Sequence, residues 1–302
     1  MIEGQNGLNW PRWQKIVQAV EDRGFVGLYR SDHFTNAGPP DKDSLELWVS
    51  LAWLADHTKR IEFGPLVTPV SFRDPAHTAR AAAAVDDLSG GRMTLGLGAG
   101  WQEREHANFG FDLLNPRRRL DRLAEGLEAV TRLFRSDSPV SFEGRYFRLH
   151  EAILLPRPQR PGGPPILVGG NGMRRTLPLA ARYAREWNAT FQTPESYAAL
   201  NRHLDSLLEL QGRSHADVRR SMMTGIVSGR TDTEVNAKLS ARGRSMTELR
   251  QRGVIVGTPA QVVDQLGEVS RAGLQRIMLQ WLDLDDIDGL DLLAKTVVPQ
   301  LK

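Results

Sequence analysis

Short apolar runs alternate along the chain with longer segments in which apolar residues recur every three or four positions. Several of the short runs are apolar nearly throughout, which is typical of parallel strands that are covered on both faces. Strands that alternate with helices predict a parallel α/β sheet. The segments that we expect to form strands are residues 25–31, 60–67, 93–98, 164–170, 186–191, 221–228 and 276–281.

The longer segments carry the signals of helix ends. Asn9 is a good N-cap, Pro11 suits a first turn, and Gly24 is expected to end the first helix. Between them, apolar residues from Trp13 to Val20 repeat on one face. Further helices are expected to begin at Ser44, Asp74-Pro75, Asn115-Pro116 and Thr258-Pro259.

Seven strands fall one short of a closed eight-stranded barrel. The only candidate for the eighth is the short run 1–4, so we expect a TIM (β/α)8 barrel whose first strand is truncated. A single domain is predicted over residues 1–302, with an arginine-rich helical insertion at 231–253. A hairpin is expected around Glu143-Gly144.

The amino-acid composition limits the kinds of active site and partner that this chain can have. The chain of 302 residues has no cysteine, which excludes disulfides, thiolate metal sites and a cysteine nucleophile and suits a reducing cytoplasm. The histidines lack metal-ligand spacing, so no metal site is expected. The net charge of +3 comes from scattered arginines, which favours a small anionic molecule over nucleic acid. No apolar run reaches membrane-spanning length, and we predict a cytoplasmic protein.

The glycine run 96–100 follows an apolar strand, as a phosphate-binding loop would. A dinucleotide fingerprint requires a third glycine at the sixth position, where Trp101 stands, and it belongs near the first strand of its domain. We therefore interpret the glycines as room for a ligand at the end of a barrel strand. The alternative is a crowded barrel interior that tolerates no side chains.

Five segments occur in an order that resembles a known family. They read GFVGLYRSDHF, GPLVTPVSFRDP, LSGGRMTLGLGAGW, PPILVGGNG and VGTPAQVVDQL. Together they are similar to the bacterial luciferase-like monooxygenase superfamily, and to its branch of coenzyme F420-dependent oxidoreductases in particular. The resemblance implies a TIM barrel that uses F420 or FMN. The short first strand departs from the family pattern.

The resemblance implies roles for residues at strand ends. His33 is implied as the catalytic or cofactor-facing residue, and Asp32 is expected to orient it or to satisfy backbone donors. A non-prolyl cis peptide at Pro65-Leu66 would form a bulge behind the ring, and Thr68 would bond the ring edge. The alternatives are a packing histidine and an ordinary strand end.

Two further strand ends complete the implied site. Ala99 and Gly100 would face the cofactor and Trp101 would form an apolar pocket wall; related sugar-phosphate dehydrogenases carry a glutamate in place of Trp101, so their substrate is not expected here. Glu103 and Glu105 are weak substitutes for that acid. The turn formed by Gly169, Gly170, Asn171 and Gly172, before a helix expected near Met173, would hold the cofactor phosphate with Arg174 and Arg175.

The leading hypothesis is hydride transfer between F420 and an unidentified small organic substrate. The second is an FMN-dependent monooxygenase fed by a separate reductase, and the third is a non-catalytic flavin-binding barrel. The resemblance also implies a homodimer. Neither nucleic acid nor a membrane is expected as a partner.

Overall fold

The computed structural model describes residues 1–301. Eleven strands lie within that part of the chain: β1 Gly27–Arg30, β2 Glu62–Pro65, β3 Thr68–Pro69, β4 Leu95–Gly98, β5 Val140–Glu143, β6 Arg148–Ala152, β7 Ile166–Gly169, β8 Glu186–Thr190, β9 Arg219–Ser228, β10 Ile255–Gly257 and β11 Arg276–Gln280. The α-helices are α1 Trp10–Asp22, α2 Leu47–His57, α3 Pro75–Leu88, α4 Glu103–Phe109, α5 Pro116–Arg135, α6 Thr176–Tyr183, α7 Pro194–Leu210, α8 Asp232–Ala241, α9 Met246–Gln251, α10 Pro259–Arg271 and α11 Ile287–Thr296.

The parallel strands follow one another around a ring. β1 pairs with β2, and β4, β7, β8, β9 and β11 pair in that order. Single bridges lie in the two gaps between these sheets: Phe63 pairs with Met93, and Ile2 pairs with both Arg30 and Trp281. With helices on the outside of the ring, the predicted TIM barrel is confirmed. The first strand is reduced to its bridge at Ile2.

The first helix illustrates how local signals set the fold. Asn9 accepts a hydrogen bond from the Arg12 amide at 3.3 Å, and the helix ends two residues before Gly24, whose φ is +81°. Its buried face includes Trp13, whose ring N–H donates to the Ser50 carbonyl at 3.0 Å. Burying each such side chain contributes about 1.5–3 kcal/mol.

Helix α2 begins later than expected. The sequence favours Ser44 as its first cap, but Glu46 caps the helix and accepts from the Val49 amide at 2.7 Å. Ser44 instead donates its hydroxyl to the His33 carbonyl at 2.6 Å. The residue that resembled a helix cap therefore holds the loop after β1.

The segment 231–253 contains α8 and α9, as expected. These helices pack on a strand that the sequence did not predict, β10, which pairs with the carboxyl-terminal part of β9. Because β9 extends beyond the ring, it supports a small apolar cluster of its own. That cluster comprises Val227, Val235, Leu239, Val254 and Val256.

The glycines of the 96–100 run lie where neighbouring backbones approach closely. A Cβ at Gly96 would lie 2.2 Å from the Pro65 carbonyl oxygen, and one at Gly98 would lie 2.3 Å from Val67 Cγ2. Both distances are far below van der Waals contact. Our interpretation of these two glycines as room for a ligand is therefore wrong, because protein atoms already fill the space.

A methyl group at Gly96 tests this packing. We expect Gly96→Ala to lower the free energy of unfolding by about 1–3 kcal/mol, because a carbonyl oxygen cannot move aside as a flexible side chain can. Gly267→Ala in α10 is the matched control, with its nearest neighbour at 3.6 Å, and is expected to be neutral or stabilising by up to about 1 kcal/mol. Urea unfolding monitored by circular dichroism measures both. Equal stability of the two variants would contradict this account.

Candidate functional site

The predicted residues come together at the carboxyl ends of the strands. His33 follows β1, Leu66 follows β2, Trp101 follows β4 and Asn171 follows β7. This is the end of a TIM barrel at which active sites are built, because eight loops converge there. The geometry around each residue decides what the site can do.

His33 is held by a carboxylate. Its Nδ1 lies 2.9 Å and 3.1 Å from the two oxygens of Glu105, which is 1% exposed, and the Phe34 amide donates to the same carboxylate at 3.0 Å. The ring of Trp101 packs edge-on against the imidazole with centroids 5.7 Å apart. Because Nδ1 faces Glu105, Nε2 is the nitrogen that can face a ligand.

The protonation of His33 follows from two opposing effects. Burial lowers its pKa, but the hydrogen bond and the negative charge of Glu105 raise it, and Glu3 and Asp32 raise it further. The net result is a pKa above the ordinary value of 6.5. At a given pH the imidazolium form is therefore more populated than in an unperturbed histidine, and this form can donate a proton or a strong hydrogen bond.

Asp32 has other partners than we expected. Its Oδ2 accepts from the Thr68 hydroxyl at 2.6 Å, and Arg73 donates to both carboxylate oxygens at 3.0 Å and 2.8 Å. Asp32 therefore neither orients His33 nor satisfies backbone donors, because two side-chain donors claim its oxygens. Glu105, which we regarded as a weak substitute for a missing acid, holds His33 instead.

The hydrogen bond from Thr68 to Asp32 limits what Thr68 can do toward a cofactor, since Thr68 is fully buried. Its hydroxyl proton is directed at Asp32, so a bond from Thr68 to a ring edge would require either its lone pairs or the loss of that contact. The role of Thr68 toward a cofactor stays a prediction. Its structural role is to tie β3 to the loop that carries His33.

The non-prolyl cis peptide lies at Leu66–Val67, one residue later than the expected Pro65–Leu66. The Leu66 amide still donates to the Arg30 carbonyl at 2.7 Å, so the β1–β2 pairing continues through this amide and the chain departs from it only afterwards. Val67 then lies over three glycines of the adjoining strands. A Cβ at Gly96, Gly98 or Gly169 would lie 3.1 Å, 2.3 Å and 3.3 Å from its methyl groups, respectively.

The turn after β7 is tied to β8. The Asn171 side chain donates to the Thr190 carbonyl at 2.8 Å and accepts from the Thr190 amide at 2.9 Å. Gly170 has a φ of +123°, which side chains rarely adopt, and a Cβ at Gly172 would lie 2.8 Å from the Thr176 hydroxyl. The hydrogen bonds of Asn171 therefore fix the conformation of this turn, and its glycines leave the backbone uncovered by side chains.

The helix after this turn begins at Thr176 and not near Met173. The Thr176 and Leu177 amides both donate to the Gly172 carbonyl, so the first bonds of the helix form only there. Arg175 forms an ion pair with Asp121, and Arg174 is exposed. Of the two predicted cations, Arg174 is the one whose charge is available at the turn.

The end of β4 forms one wall of the site. Gly100 has a φ of +79°, and Ala99 and Gly100 are half-buried. Trp101 is 60% exposed. The exposed indole of Trp101 therefore lies next to the half-buried imidazole of His33, and its role as an apolar pocket wall stays a prediction.

Sequence reasoning missed a polar chain at the first strand. Glu3 accepts from Gln280 at 2.6 Å and from Gln5 at 2.8 Å, and the Ser31 hydroxyl donates to Gln5 at 2.7 Å. Glu3 also raises the pKa of His33 through its charge. Because no strand pattern marks residues 1–4, nothing in the sequence signalled that this carboxylate lies near the site.

Neither a metal-binding cluster nor a membrane-spanning helix is found in the part of the chain that the structure describes. Among residues 1–301, no cluster of three or more histidine and carboxylate side chains could hold a metal ion. The helices of the described chain are too short or too polar to cross a membrane.

The sequence of this chain matches the model of a known protein family. The model of the luciferase-like monooxygenase family matches residues 3–250. These residues include β1, β2, β4 and β7, together with the cis-peptide bulge after β2 and the turn after β7. The chain belongs to the luciferase-like monooxygenase family. The resemblance seen in the five segments is confirmed.

Relatives in this family include both F420-dependent oxidoreductases and monooxygenases. The 4-hydroxyprotoasukamycin monooxygenase of Streptomyces nodosus subsp. asukaensis is 29% identical over 97% of this chain and 87% of its own length. The F420-dependent hydroxymycolic acid dehydrogenase of Mycobacterium tuberculosis is 38% identical, but the match covers 57% of this chain and only 47% of that protein. An F420-dependent secondary alcohol dehydrogenase in complex with an F420-acetone adduct shares the fold, with a TM-score of 0.85 and 19% identity over 100% of this chain and 99% of that one.

The His33–Glu105 contact predicts a measurable titration. We expect Glu105→Gln to lower the pKa of His33 below its wild-type value, because burial remains while the negative charge is lost. Proton NMR of the histidine ring measures it, with the exposed Glu103→Gln as the control. An unchanged His33 pKa in Glu105→Gln would refute the assignment.

The same pair predicts the pH dependence of stability. The folded-state pKa of His33 is raised, so its contribution is fully present below the unfolded pKa and is lost as pH rises through the folded pKa. The stability difference between wild type and Glu105→Gln is therefore expected to be larger at pH 5 than at pH 9. Denaturant midpoints across that range measure it, and a difference that grows with pH would have the wrong sign.

Proposed function

We propose that this protein is an oxidoreductase that transfers a hydride between coenzyme F420 and a small organic substrate. The observation that carries the proposal is the His33–Glu105 pair, a half-buried histidine with a raised pKa that follows the carboxyl end of β1. A group of this kind suits proton transfer at a substrate oxygen. The F420-dependent dehydrogenase of M. tuberculosis, which is similar to part of this chain, supports this choice of cofactor.

The residues present fit the phosphorylated end of such a cofactor. The turn from Gly169 to Gly172 exposes backbone where a side chain would not fit, and Asn171 holds its shape. Backbone amides in such a turn, together with the exposed Arg174, favour a phosphate group. In this proposal Asn171 positions the turn, while Arg174 supplies charge.

The strand ends fit the ring system. Val67, which follows the cis peptide, packs over the glycines of β4 and β7, and we propose that the bulge at Leu66 and Val67 supports the ring from behind. Ala99 and Gly100, which follow β4, would border the ring; Ala99 carries only a methyl group, and a Cβ at Gly100 would lie 2.3 Å from the Ser71 hydroxyl, so packing within the protein requires that glycine. When bound there, F420 would supply or accept a hydride at C5 of its ring.

His33 is the residue that we assign to the substrate. With Nδ1 on Glu105, its Nε2 would hold the substrate oxygen and give a proton to it as a carbonyl becomes an alcohol, or accept that proton in the reverse direction. Glu105 positions the imidazole and stabilises its charged form. Trp101 would cover the substrate and exclude water from the proton path.

An FMN-dependent monooxygenase is the second candidate. The turn after β7 would serve the phosphate of FMN as well as that of F420, and the relative from S. nodosus carries the name monooxygenase. A non-catalytic flavin-binding barrel remains the third candidate. A homodimer and a cytoplasmic location are further predictions of the proposal.

Cofactor titration and His33→Ala test the proposal together. We expect micromolar binding of F420, and a fall in turnover by about 10²- to 10⁴-fold in His33→Ala with little change in F420 affinity, because His33 acts on the substrate. The control is His77→Ala, an exposed histidine of α3. Absorbance and fluorescence titrations measure binding, and stopped-flow or steady-state assays over a panel of alcohols and ketones measure turnover.

Each alternative has its own outcome in this experiment. Tight FMN binding without F420 binding would replace the proposal by the monooxygenase. Cofactor binding without turnover of any tested alcohol or ketone, unaffected by His33→Ala, would favour the non-catalytic barrel.

Arg174 provides an independent test of the phosphate end. We expect Arg174→Ala to weaken cofactor binding by about 5- to 50-fold, since a charge-assisted hydrogen bond is worth roughly 1–2.5 kcal/mol. Arg182→Ala on the exposed face of α6 is the control. Isothermal titration at two salt concentrations measures the loss, which is expected to shrink at high salt. Equal affinities of wild type and Arg174→Ala would remove Arg174 from the site.

A further inference from the structure

A second buried histidine lies beside Glu105 in α4. His106 is 1% exposed, as Glu105 is, and its Nδ1 lies 4.0 Å from Glu105 Oε1. The Glu105 carboxylate therefore has two imidazoles near it, that of His33 at hydrogen-bond distance and that of His106 just beyond this distance. Burying an imidazole costs free energy unless its nitrogens are bonded, so the partners of His106 show what holds it there.

Both ring nitrogens of His106 have partners. Nδ1 lies 2.6 Å from the Gln102 carbonyl oxygen, which can only accept, so Nδ1 carries the proton. Nε2 lies 2.8 Å from the Ser71 hydroxyl, and in the neutral ring it accepts the hydroxyl proton. The ring thus connects two elements, because Gln102 is the N-cap residue of α4 and Ser71 lies in the loop after β3.

The contact between Ser71 and His106 is closely packed against the end of β4. A Cβ at Gly100 would lie 2.3 Å from the Ser71 hydroxyl oxygen and 3.3 Å from His106 Nε2. The ring of Phe72 packs against the imidazole of His106, with centroids 5.5 Å apart. Neither partner can therefore move far without displacing its neighbours.

Helix α4 depends on such contacts because it cannot fix its own position. It has seven residues, and a helix that short is not stable alone. Its N-cap residue, Gln102, makes no capping hydrogen bond and instead donates its side-chain amide to the Thr35 carbonyl at 2.7 Å. Gln102 thus ties α4 to the loop that carries His33, and His106 ties it to the loop after β3. Glu105 lies on α4 between these two attachments.

We propose that Ser71 and His106 are positioning residues, which clamp α4 so that the Glu105 carboxylate stays on Nδ1 of His33. They act through Glu105 and touch neither substrate nor cofactor. Their effect on turnover rests on the proposed function of His33, whereas their effect on the ionisation of His33 does not. The two effects can therefore be tested separately.

The charged groups around His33 fix the direction of the effect. Burial lowers the pKa of His33, while Glu105 on α4, Glu3 at the first strand and Asp32 on its own loop all raise it. Among the favourable effects, the hydrogen bond and the charge of Glu105 come first. If α4 shifts and the carboxylate leaves Nδ1, burial remains while this contribution is lost, so the pKa of His33 falls.

Three variants test the clamp, with the pKa of His33 measured by proton NMR in the full chain without cofactor. His106→Leu removes both bonds, Ser71→Ala removes one, and His106→Gln keeps a side-chain amide that can bond Ser71. We expect His106→Leu to lower the pKa of His33, and each of the other two variants to lower it less. His57→Leu is the matched control, because Nδ1 of the exposed His57 lies 2.9 Å from the carbonyl oxygen four residues earlier in α2.

Each NMR outcome decides for or against the clamp. An unchanged His33 pKa in both His106→Leu and Ser71→Ala would overturn the proposal. Equal falls in His106→Leu and His106→Gln would overturn it as well, because packing and not hydrogen bonding would then hold α4. Should circular dichroism show that His106→Leu does not fold, Ser71→Ala decides, and the absence of a shift in that variant counts against the clamp.

Turnover of alcohols and ketones with F420 is the second readout. We expect kcat to fall about 10- to 100-fold in His106→Leu with little change in KM, because a misplaced imidazole slows proton transfer more than it weakens binding. The control His57→Leu is expected to keep the wild-type rate, and a fall of equal size in the control would contradict a specific role of His106. If no variant and no wild-type sample turns over with F420, the proposed function fails, while the NMR result still decides the role of the clamp.

Discussion

The structure depends on how closely the backbones of β2 and β4 approach each other. At Gly64 and Gly96 a single added carbon would lie 2.0 Å and 2.2 Å from the carbonyl oxygens of Thr94 and Pro65. Only glycine permits this approach, and the approach in turn gives Val67 its position over β4 and β7. The shape of the barrel end where the candidate site lies therefore follows from a steric limit inside the ring.

Charge pairing then gives that barrel end its chemistry. Two carboxylates of neighbouring segments have separate tasks: Glu105 holds His33, and Asp32 is neutralised by Arg73 and bonded by Thr68. Burial lowers the pKa of His33, but the hydrogen bond and charge of Glu105, together with the charges of Glu3 and Asp32, raise it above its ordinary value. Glu105 comes from α4, which follows β4, so the packing of α4 against the loop after β1 assembles the pair.

Much of the fold was predictable, because its signals are local. Strand runs, the Asn9 cap and Gly24 depend on near neighbours in the sequence, and the structure places the corresponding elements within a few residues. The errors arose where a local signal had a distant use. Ser44 resembles a helix cap but bonds His33, and the β10 strand exists only because β9 extends beyond the ring to pair with it.

The sequence by itself determined the alternation of strands and helices, the family, and the residues that follow each strand, since these depend on order and spacing along the chain. The tertiary structure alone decided that Glu105 and not Asp32 holds His33, that the glycines of β4 accommodate Val67, and that Glu3 lies near the site. The physical reason is that hydrogen bonds and steric contacts between strands act over a few ångströms in space. Glu105 and His33 are 72 residues apart in the chain, and only closure of the barrel brings them within 2.9 Å.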